Sequence, residues 1–310
     1  MRILVTGGTG FIGSNLCTQL LLDNHNVYCI DNNFTGRMIN IEKHKNNPNF
    51  TFLFHDIVEP LLFDIQVDQI YHLACPASPP AYQIDPIKTI QTNVLGTFNV
   101  LNYAIKYNAR VLLSSTSEVY GDPTINPQPE TYWGNVNTIG PRSCYDEGKR
   151  IAETIMMEYK NKHNIQIRIA RIFNTYGPHM DKNDGRVVSN FINQCLENKN
   201  ITIYGQGTQT RSLCYITDLL CGLIKLMNNE KTCGPINLGN PYEQSVLNIA
   251  NYIKQITNSN SDIIYHPLPT DDPLQRQPDI QKAEKILEWK PVVSFHEGIQ
   301  KTIEYFQNYQ

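Results

Sequence analysis

Tyr145 and Lys149 stand four residues apart in Cys-Tyr-Asp-Glu-Gly-Lys-Arg. On a helix that spacing places both side chains on one face. A phenol ordinarily ionises near pH 10, so a tyrosine acting as a base at neutral pH needs roughly 4 kcal/mol of help. A neighbouring ammonium supplies part of it. The pair therefore points to proton removal from an alcohol that is being oxidised. Upstream lies Ser114-Ser-Thr-Ser-Glu-Val-Tyr-Gly121, where Ser115 or Thr116 can hydrogen-bond the same hydroxyl. Glu118 follows directly after Thr116-Ser117. A carboxylate there points to a second chemical step beyond the redox one.

The elements that must position these groups alternate in type. Strand patterns cover Arg2–Thr6, Val27–Ile30, Phe50–His55, Gln69–Ala74, Arg110–Ser115 and Gln166–Arg171. Helical patterns cover Ile12–Leu22, Thr89–Tyr107 and Tyr145–Lys162. This rhythm predicts an α/β fold with a Rossmann-type, doubly wound parallel sheet. It places Ser115 and Thr116 at a strand end. After Asn174 the rhythm breaks into a helix at Val187–Asn198, a strand at Ile201–Tyr204 and a polar loop at Gly205–Arg211. A further α/β step follows at Leu219–Asn228 and Pro235–Leu238, and the chain closes in a helix from Phe295 to about Phe306. The expected division is a nucleotide-binding domain over residues 1–174, with 212–240 returning to it, and a smaller substrate-binding lobe over 175–310. Such a lobe suits a lid over the carboxyl ends of the strands, where open α/β sheets bind ligands.

The first strand leads into Thr6-Gly-Gly-Thr-Gly-Phe-Ile-Gly13 and then a helix. Gly7, Gly10 and Gly13, or Gly8, Gly10 and Gly13, let backbone approach a pyrophosphate at a helix N-terminus. Asp31 ends the second strand, where a carboxylate hydrogen-bonds a ribose 2′-OH and repels a 2′-phosphate, favouring NAD over NADP. The expected cofactor contacts are Gly7, Gly10, Phe11, Ile12, Gly13, Asp31, Asn32, Asn33, Thr35, Gly36, Asp56, Ile57, Leu73, Ala74, Thr92, Ser115, Tyr145 and Lys149. Lys149 can also hold ribose hydroxyls.

Composition narrows the field. A net charge of -3 with no basic run argues against nucleic acid, and no apolar run approaches a membrane span. The eight cysteines form no Cys-x-x-Cys and the histidines no ligand cluster, so reduced thiols and no metal are expected. Met1 runs straight into an apolar strand without a charged leader, so the expected location is the cytosol. Cys75 and Cys144 flank the site and read as small packing groups rather than nucleophiles.

Several further segments carry a resemblance. They are His72-Leu-Ala-Cys-Pro-Ala-Ser-Pro-Pro80, Ser115–Pro123, Tyr132-Trp-Gly-Asn-Val-Asn137, Arg142–Arg150, Ala170–Pro178, Asp184–Phe191, Gln209-Thr-Arg211 and Asp271–Asp279. With these the chain resembles the extended short-chain dehydrogenase/reductase family that acts on nucleotide sugars, and in particular its uronate-decarboxylating members. The resemblance runs from about residue 1 to residue 306.

The resemblance implies a redox-neutral cycle on UDP-glucuronic acid with resident NAD. Tyr145 takes the C4 hydroxyl proton as NAD takes the hydride. The 4-keto sugar then loses CO2 as a β-keto acid, and protonation at C5 with return of the hydride gives UDP-xylose. By the family pattern the catalytic set is Tyr145, Lys149, Thr116, Ser117, Glu118 and Arg276. Arg276 orients the carboxylate or supports protonation of the enolate. Arg186 and Arg211 are expected at the diphosphate, Asn174 at a phosphate or sugar oxygen, Tyr82 at the uronate carboxylate, and Thr116 and Arg276 also against substrate. His179 stands where the family pattern has arginine. The rivals are a 4,6-dehydratase, which would carry Asp-Glu in place of Ser117-Glu118, and a 4-epimerase, which would lack the glutamate. A non-catalytic nucleotide-sugar-binding regulator would show damage at Tyr145, Lys149 or Glu118, and none is seen. A homodimer pairing Thr89–Tyr107 with Tyr145–Lys162 is also implied.

Overall fold

The computed structural model describes residues 1–268 and 275–308. The chain starts with β1 (Arg2–Thr6), α1 (Phe11–Leu22), β2 (Asn26–Asp31), β3 (Phe50–Phe54) and β4 (Gln69–His72). After a single turn, α2 (Pro79–Tyr82), come α3 (Pro86–Tyr107), β5 (Arg110–Thr116), α4 (Ser143–His163) and β6 (Ile167–Ile172). The second half holds β7 (Thr175–Tyr176), α5 (Val187–Leu196), β8 (Ile201–Tyr204), β9 (Thr210–Ser212), β10 (Cys214–Tyr215), α6 (Ile216–Asn228) and β11 (Ile236–Leu238). It ends with β12 (Glu243–Ser245), α7 (Val246–Ile256), β13 (Ile263–His266), α8 (Gln281–Leu287) and α9 (Phe295–Asn308).

Seven strands form one sheet in the order β11-β6-β5-β4-β1-β2-β3. Every neighbouring pair is parallel. The order reverses between β1 and β4, and the crevice at that switch point is where open sheets of this kind bind ligands. One face packs Ile3, Val5, Leu16 and Leu20 against α6 residues Leu219 and Leu223. The other packs Leu4, Ile70, Val111 and Leu113 against Leu101 of α3 and Met156 of α4. Burying each of these large side chains contributes about 1.5–3 kcal/mol. The lobe built on α5, α7, β8 and β13 shares the first of these clusters, through Ile192, Ile201 and Ile253. It is thus an extension of the main core.

Local chemistry explains where the elements begin and end. α3 starts at Pro86, three residues before the expected Thr89, because the Asp85 carboxylate accepts from the Lys88 amide at 2.9 Å and proline suits a first turn. α3 and α4 both stop at left-handed asparagines, Asn108 and Asn164. β4 ends at His72 instead of Ala74, since the Leu73 and Ala74 amides both turn to the Thr6 hydroxyl at 3.2 Å. The stretch expected as the loop Gly205–Arg211 contains part of a strand: Arg211 lies on β9, paired antiparallel with Gln244 of β12.

Candidate active site

A cavity of about 980 Å³ opens at the carboxyl ends of the strands, between the sheet and the second lobe. Its first wall is the turn between β1 and α1. Gly7 has φ +71°, and a Cβ there would lie 2.8 Å from the Ala74 nitrogen. A Cβ on Gly13 would come within 2.1 Å of the Gly7 oxygen. The first turn of α1 has neither a side-chain cap nor an acidic residue, so its N–H groups and dipole are left for an anion. The Asp31 carboxylate accepts from the Thr9 amide at 3.0 Å and the Asn33 amide at 2.8 Å. This cradle fits a dinucleotide.

Most of the expected cofactor residues line the cavity, including Phe11, Ile12, Asn32, Thr35, Ile57, Leu73, Ala74 and Thr92. Asn33 and Gly36 are not among the lining residues. Asn33, with φ 55°, accepts from the Thr9 hydroxyl at 3.0 Å, and Gly36 packs so closely that a Cβ would overlap that hydroxyl. Both shape the loop around Asp31. Asp56, two residues beyond β3, is ion-paired with Lys88 at 2.7 Å. Burial pushes its carboxyl up, but bonds from Lys88, Val58 and Asn32 outweigh this and hold it below the usual range.

Facing the cradle, Tyr145 and Lys149 project from α4. The Tyr145 ring stacks on Tyr82, centroids 5.0 Å apart and planes within 5°. Cys75 and Cys144 pack around that pair. Lys149 is 3% exposed and donates to the Ser114 carbonyl at 2.9 Å. Burial lowers its pKa. Burial, with Cys75 next, pushes the Tyr145 hydroxyl well up, while hydrogen bonding from Thr116 favours its ionised form. Ser115 and Thr116 both line the cavity but take different partners. The Ser115 hydroxyl turns to Glu153 at 2.5 Å, on the path of the Arg171–Glu153 ion pair, and Thr116 faces Tyr145.

Beyond Tyr145 lies a charged cluster. Glu118 Oε2 receives Arg142 Nη2 at 2.5 Å and Arg276 Nη2 at 3.2 Å. Arg276 is 2% exposed and also donates to the Ser117 carbonyl. Burial pushes the Glu118 carboxyl up, yet Arg276 and Arg142 together hold it below the ordinary range. Arg142 and Asp146 were not expected here. Arg142 caps α4 one turn before Tyr145, on its face, and that spacing was the available signal. The flanking Asp271–Leu274 lies outside the described residues.

Asn174, Arg186, Arg211 and Tyr82 also line the cavity. Arg186 is held bidentately by Asp184 at 2.5 and 2.7 Å. Arg211 is buried and donates to the Thr210 carbonyl. The Tyr82 hydroxyl is sealed from solvent and, among the described residues, has no hydrogen-bond partner. His179 sits in the left-handed region at φ 71°, with Nδ1 2.8 Å from the Ser14 hydroxyl beside the glycine turn. Burial, then Lys43 and His44, lowers its pKa to about 4, so the ring is neutral and does not replace the charge of an arginine.

A glycine cradle that faces tyrosine and lysine across the switch point of a parallel sheet is the arrangement of NAD-dependent short-chain dehydrogenases/reductases of the extended type. The family model described as GDP-mannose 4,6 dehydratase matches residues 4–302. UDP-glucuronic acid decarboxylase 1 of Xenopus tropicalis is 54% identical over 306 residues, covering 99% of this chain and 72% of that protein. UDP-glucuronic acid decarboxylase 5 of Arabidopsis thaliana is 55% identical over 300 residues, covering 96% and 87%. Among solved structures, UDP-glucuronic acid 4-epimerase from Bacillus cereus, in complex with UDP-glucuronic acid and NAD, has a TM-score of 0.88 at 29% identity, with 100% of both chains covered. This chain belongs to the extended short-chain dehydrogenase/reductase family and, within it, to the UDP-glucuronic acid decarboxylases.

Proposed function

We propose that this chain converts UDP-glucuronic acid to UDP-xylose and CO2. NAD held in the glycine cradle supplies the acceptor and later the donor of hydride at C4. Tyr145 takes the proton from the C4 hydroxyl and returns it at the end of the cycle, steadied by Thr116. Because burial opposes its ionisation, the phenolate depends on nearby positive charge, and Lys149 brings one. Oxidation makes the C6 carboxylate β to a ketone. CO2 then leaves with the bonding pair held as an enolate at the C4 oxygen, next to Tyr145. Arg276 and Arg142 orient the carboxylate, with Ser117 and Glu118 beside C5 and C6. Arg186, Arg211 and Asn174 hold the nucleotide end, and a planar guanidinium suits a diphosphate.

The observation that carries this reading is the state of Glu118. A 4,6-dehydratase needs an acid to expel the C6 hydroxyl, whereas Glu118 is held ionised between two arginines. An arginine pair suits a substrate with a carboxylate at C6. The test is direct: incubate the purified protein with UDP-glucuronic acid and NAD, then measure CO2 and identify the sugar product. UDP-xylose with stoichiometric CO2 is expected. An epimerised uronate without CO2 would place the chain with the 4-epimerases.

A homodimer is part of the proposal. α3 leaves Ile87, Ile90, Leu95, Phe98 and Ile105 exposed, and α4 adds Ile151, an apolar stripe that a second copy would cover. Light scattering at micromolar concentration tests it, and a monomer there would overturn it. The eight cysteines are all free thiols, which supports the cytosol as the setting.

A further inference from the structure

Asp146 follows Tyr145 on α4, four residues and one turn after Arg142. It is 6% exposed, and among the described residues its Oδ1 is sealed from solvent without a hydrogen-bond donor. A carboxylate so placed is desolvated and poorly paired, which favours the neutral acid. The groups acting on it come from several elements. Glu118 lies after β5, Arg276 is on the segment between β13 and α8, and Arg142 and Glu147 share its helix. Tyr82 comes from α2. Burial first, and Glu118 next, raise the Asp146 pKa to about 7, while Arg142 and Arg276 pull the other way. Glu118 goes in the opposite direction and stays ionised. Two carboxyls whose surroundings drive them apart in this way mark separate acid and base duties.

The proposed reaction, on which this inference rests, consumes one proton per turnover. The C5–C6 bond breaks, CO2 departs, and the electron pair forms an enolate with the C4 oxygen. That pair then forms a C5–H bond with an incoming proton. Tyr145 cannot be its net source, because the proton Tyr145 takes from the C4 hydroxyl goes back to the same oxygen. Glu118, held as a carboxylate, has none in store. We infer that Asp146 stores this proton behind the cavity wall, delivers it to C5 through the Glu118–Arg276 cluster, and is reloaded through the same cluster from water entering the emptied cavity. Asp146 is not among the lining residues, so it acts through its neighbours and does not touch substrate. In the transfer Asp146 becomes a carboxylate, Glu118 is protonated transiently, and C5 receives the proton as Glu118 returns to its ion pairs.

The variant that tests this is Asp146→Asn, which keeps shape and neutrality but carries no transferable proton. Affinities for UDP-glucuronic acid and NAD should stay within about threefold of wild type, while kcat falls about 10- to 100-fold. The wild-type kcat should decline as pH rises through the neutral region, and Asp146→Asn should lose that limb. Asp146→Glu should restore part of it. A readout independent of turnover is infrared difference spectroscopy of the protein itself. Wild type should show a protonated carboxylic acid that ionises near pH 7, missing from Asp146→Asn. Wild-type kcat and pH profile in Asp146→Asn, or no such acid in the wild-type spectrum, would overturn the inference. Absence of CO2 from the wild-type enzyme would instead remove the decarboxylase reading, and the infrared band separates the two failures. Should Asp146→Asn not fold, the wild-type band and pH limb decide the matter.

Discussion

Glu118→Gln tests the charged cluster most directly, because it keeps volume and removes only charge. In the wild type the carboxylate pairs with two arginines, at 2.5 Å to Arg142 and 3.2 Å to Arg276. The three partners have side chains only 16%, 15% and 2% exposed, so solvent does little to replace the lost ion pairs. Removing one member of a buried pair costs about 3–5 kcal/mol. Here the lower end is expected. Glu118 is a main reason Asp146 stays protonated, so in Glu118→Gln the Asp146 carboxyl ionises and partly takes over the pairing. At about 2.1 cal/mol/K per residue over 310 residues, 3 kcal/mol is a fall of about 5 °C in Tm.

The kinetic effect should be larger and confined to one step. Loss of a positioned proton-transfer group costs about 10²- to 10⁴-fold, or roughly 3–5 kcal/mol of barrier. Both arginines remain, so KM for UDP-glucuronic acid should stay within about threefold of wild type. The Tyr145, Lys149 and Thr116 arrangement is untouched, so oxidation at C4 continues. Stopped-flow absorbance should therefore show reduced nicotinamide accumulating while CO2 release, followed with labelled substrate, lags far behind. A kcat within threefold of wild type refutes the assignment. A tenfold rise in KM with kcat intact makes Glu118 a binding residue instead.

Tyr145→Phe should preserve the 5.0 Å stack on Tyr82, leaving Tm within about 2 °C, yet abolish formation of reduced nicotinamide; appreciable reduction would assign the base elsewhere. Asp146→Asn has a second consequence, for stability against pH. The folded-state pKa is raised, so the contribution of Asp146 is present below the ordinary carboxyl range and is lost as pH rises through about 7. At 1.36 kcal/mol per pH unit, a move from 3.8 to about 7 sets a ceiling of about 4 kcal/mol. The asparagine variant should thus gain on wild type in urea titrations between pH 5 and about 8, and a parallel pH dependence for the two would mean Asp146 is ionised in the fold. His179→Arg should tighten NAD binding about three- to tenfold and steepen its salt dependence, measured by titration at two ionic strengths; unchanged affinity would put residue 179 away from the diphosphate.

How much of this was legible in the sequence depends on how far apart the partners lie. The cradle from Gly7 to Gly13 and the Tyr145/Lys149 pair are local, so backbone spacing alone places them. Arg276 reaches Glu118 across 158 positions, and only the family resemblance linked the two. Arg142 escaped notice although it sits one turn from Tyr145, because a cap position reads as helix boundary and not as site. The sequence left Ser115 and Thr116 as equal candidates for the substrate hydroxyl. Their partners, Glu153 and Tyr145, distinguish them, and both come from α4, a distant element. Arg211 read as loop because a three-residue polar strand has no apolar alternation to announce it. Its partner β12 lies more than thirty residues on.

The two halves of the cavity divide the work by charge. At the nicotinamide half Lys149 is itself opposed by burial, so the hydroxyl of Tyr145 ionises only when the site gains positive charge. At the carboxylate half Arg142 and Arg276 both meet Glu118, and Arg211 also acts on it. A substrate carboxylate at C6 thus competes with Glu118 for guanidinium groups already in place. Each arginine is partly engaged before substrate arrives, which limits how tightly the ground-state carboxylate is held and so favours loss of CO2. When CO2 leaves, the negative charge passes to the enolate and is cancelled at C5 by a proton. The arginines then face no substrate carboxylate, which loosens the grip of the cluster on a neutral pentose. Product release and proton uptake are thereby tied to the same cluster.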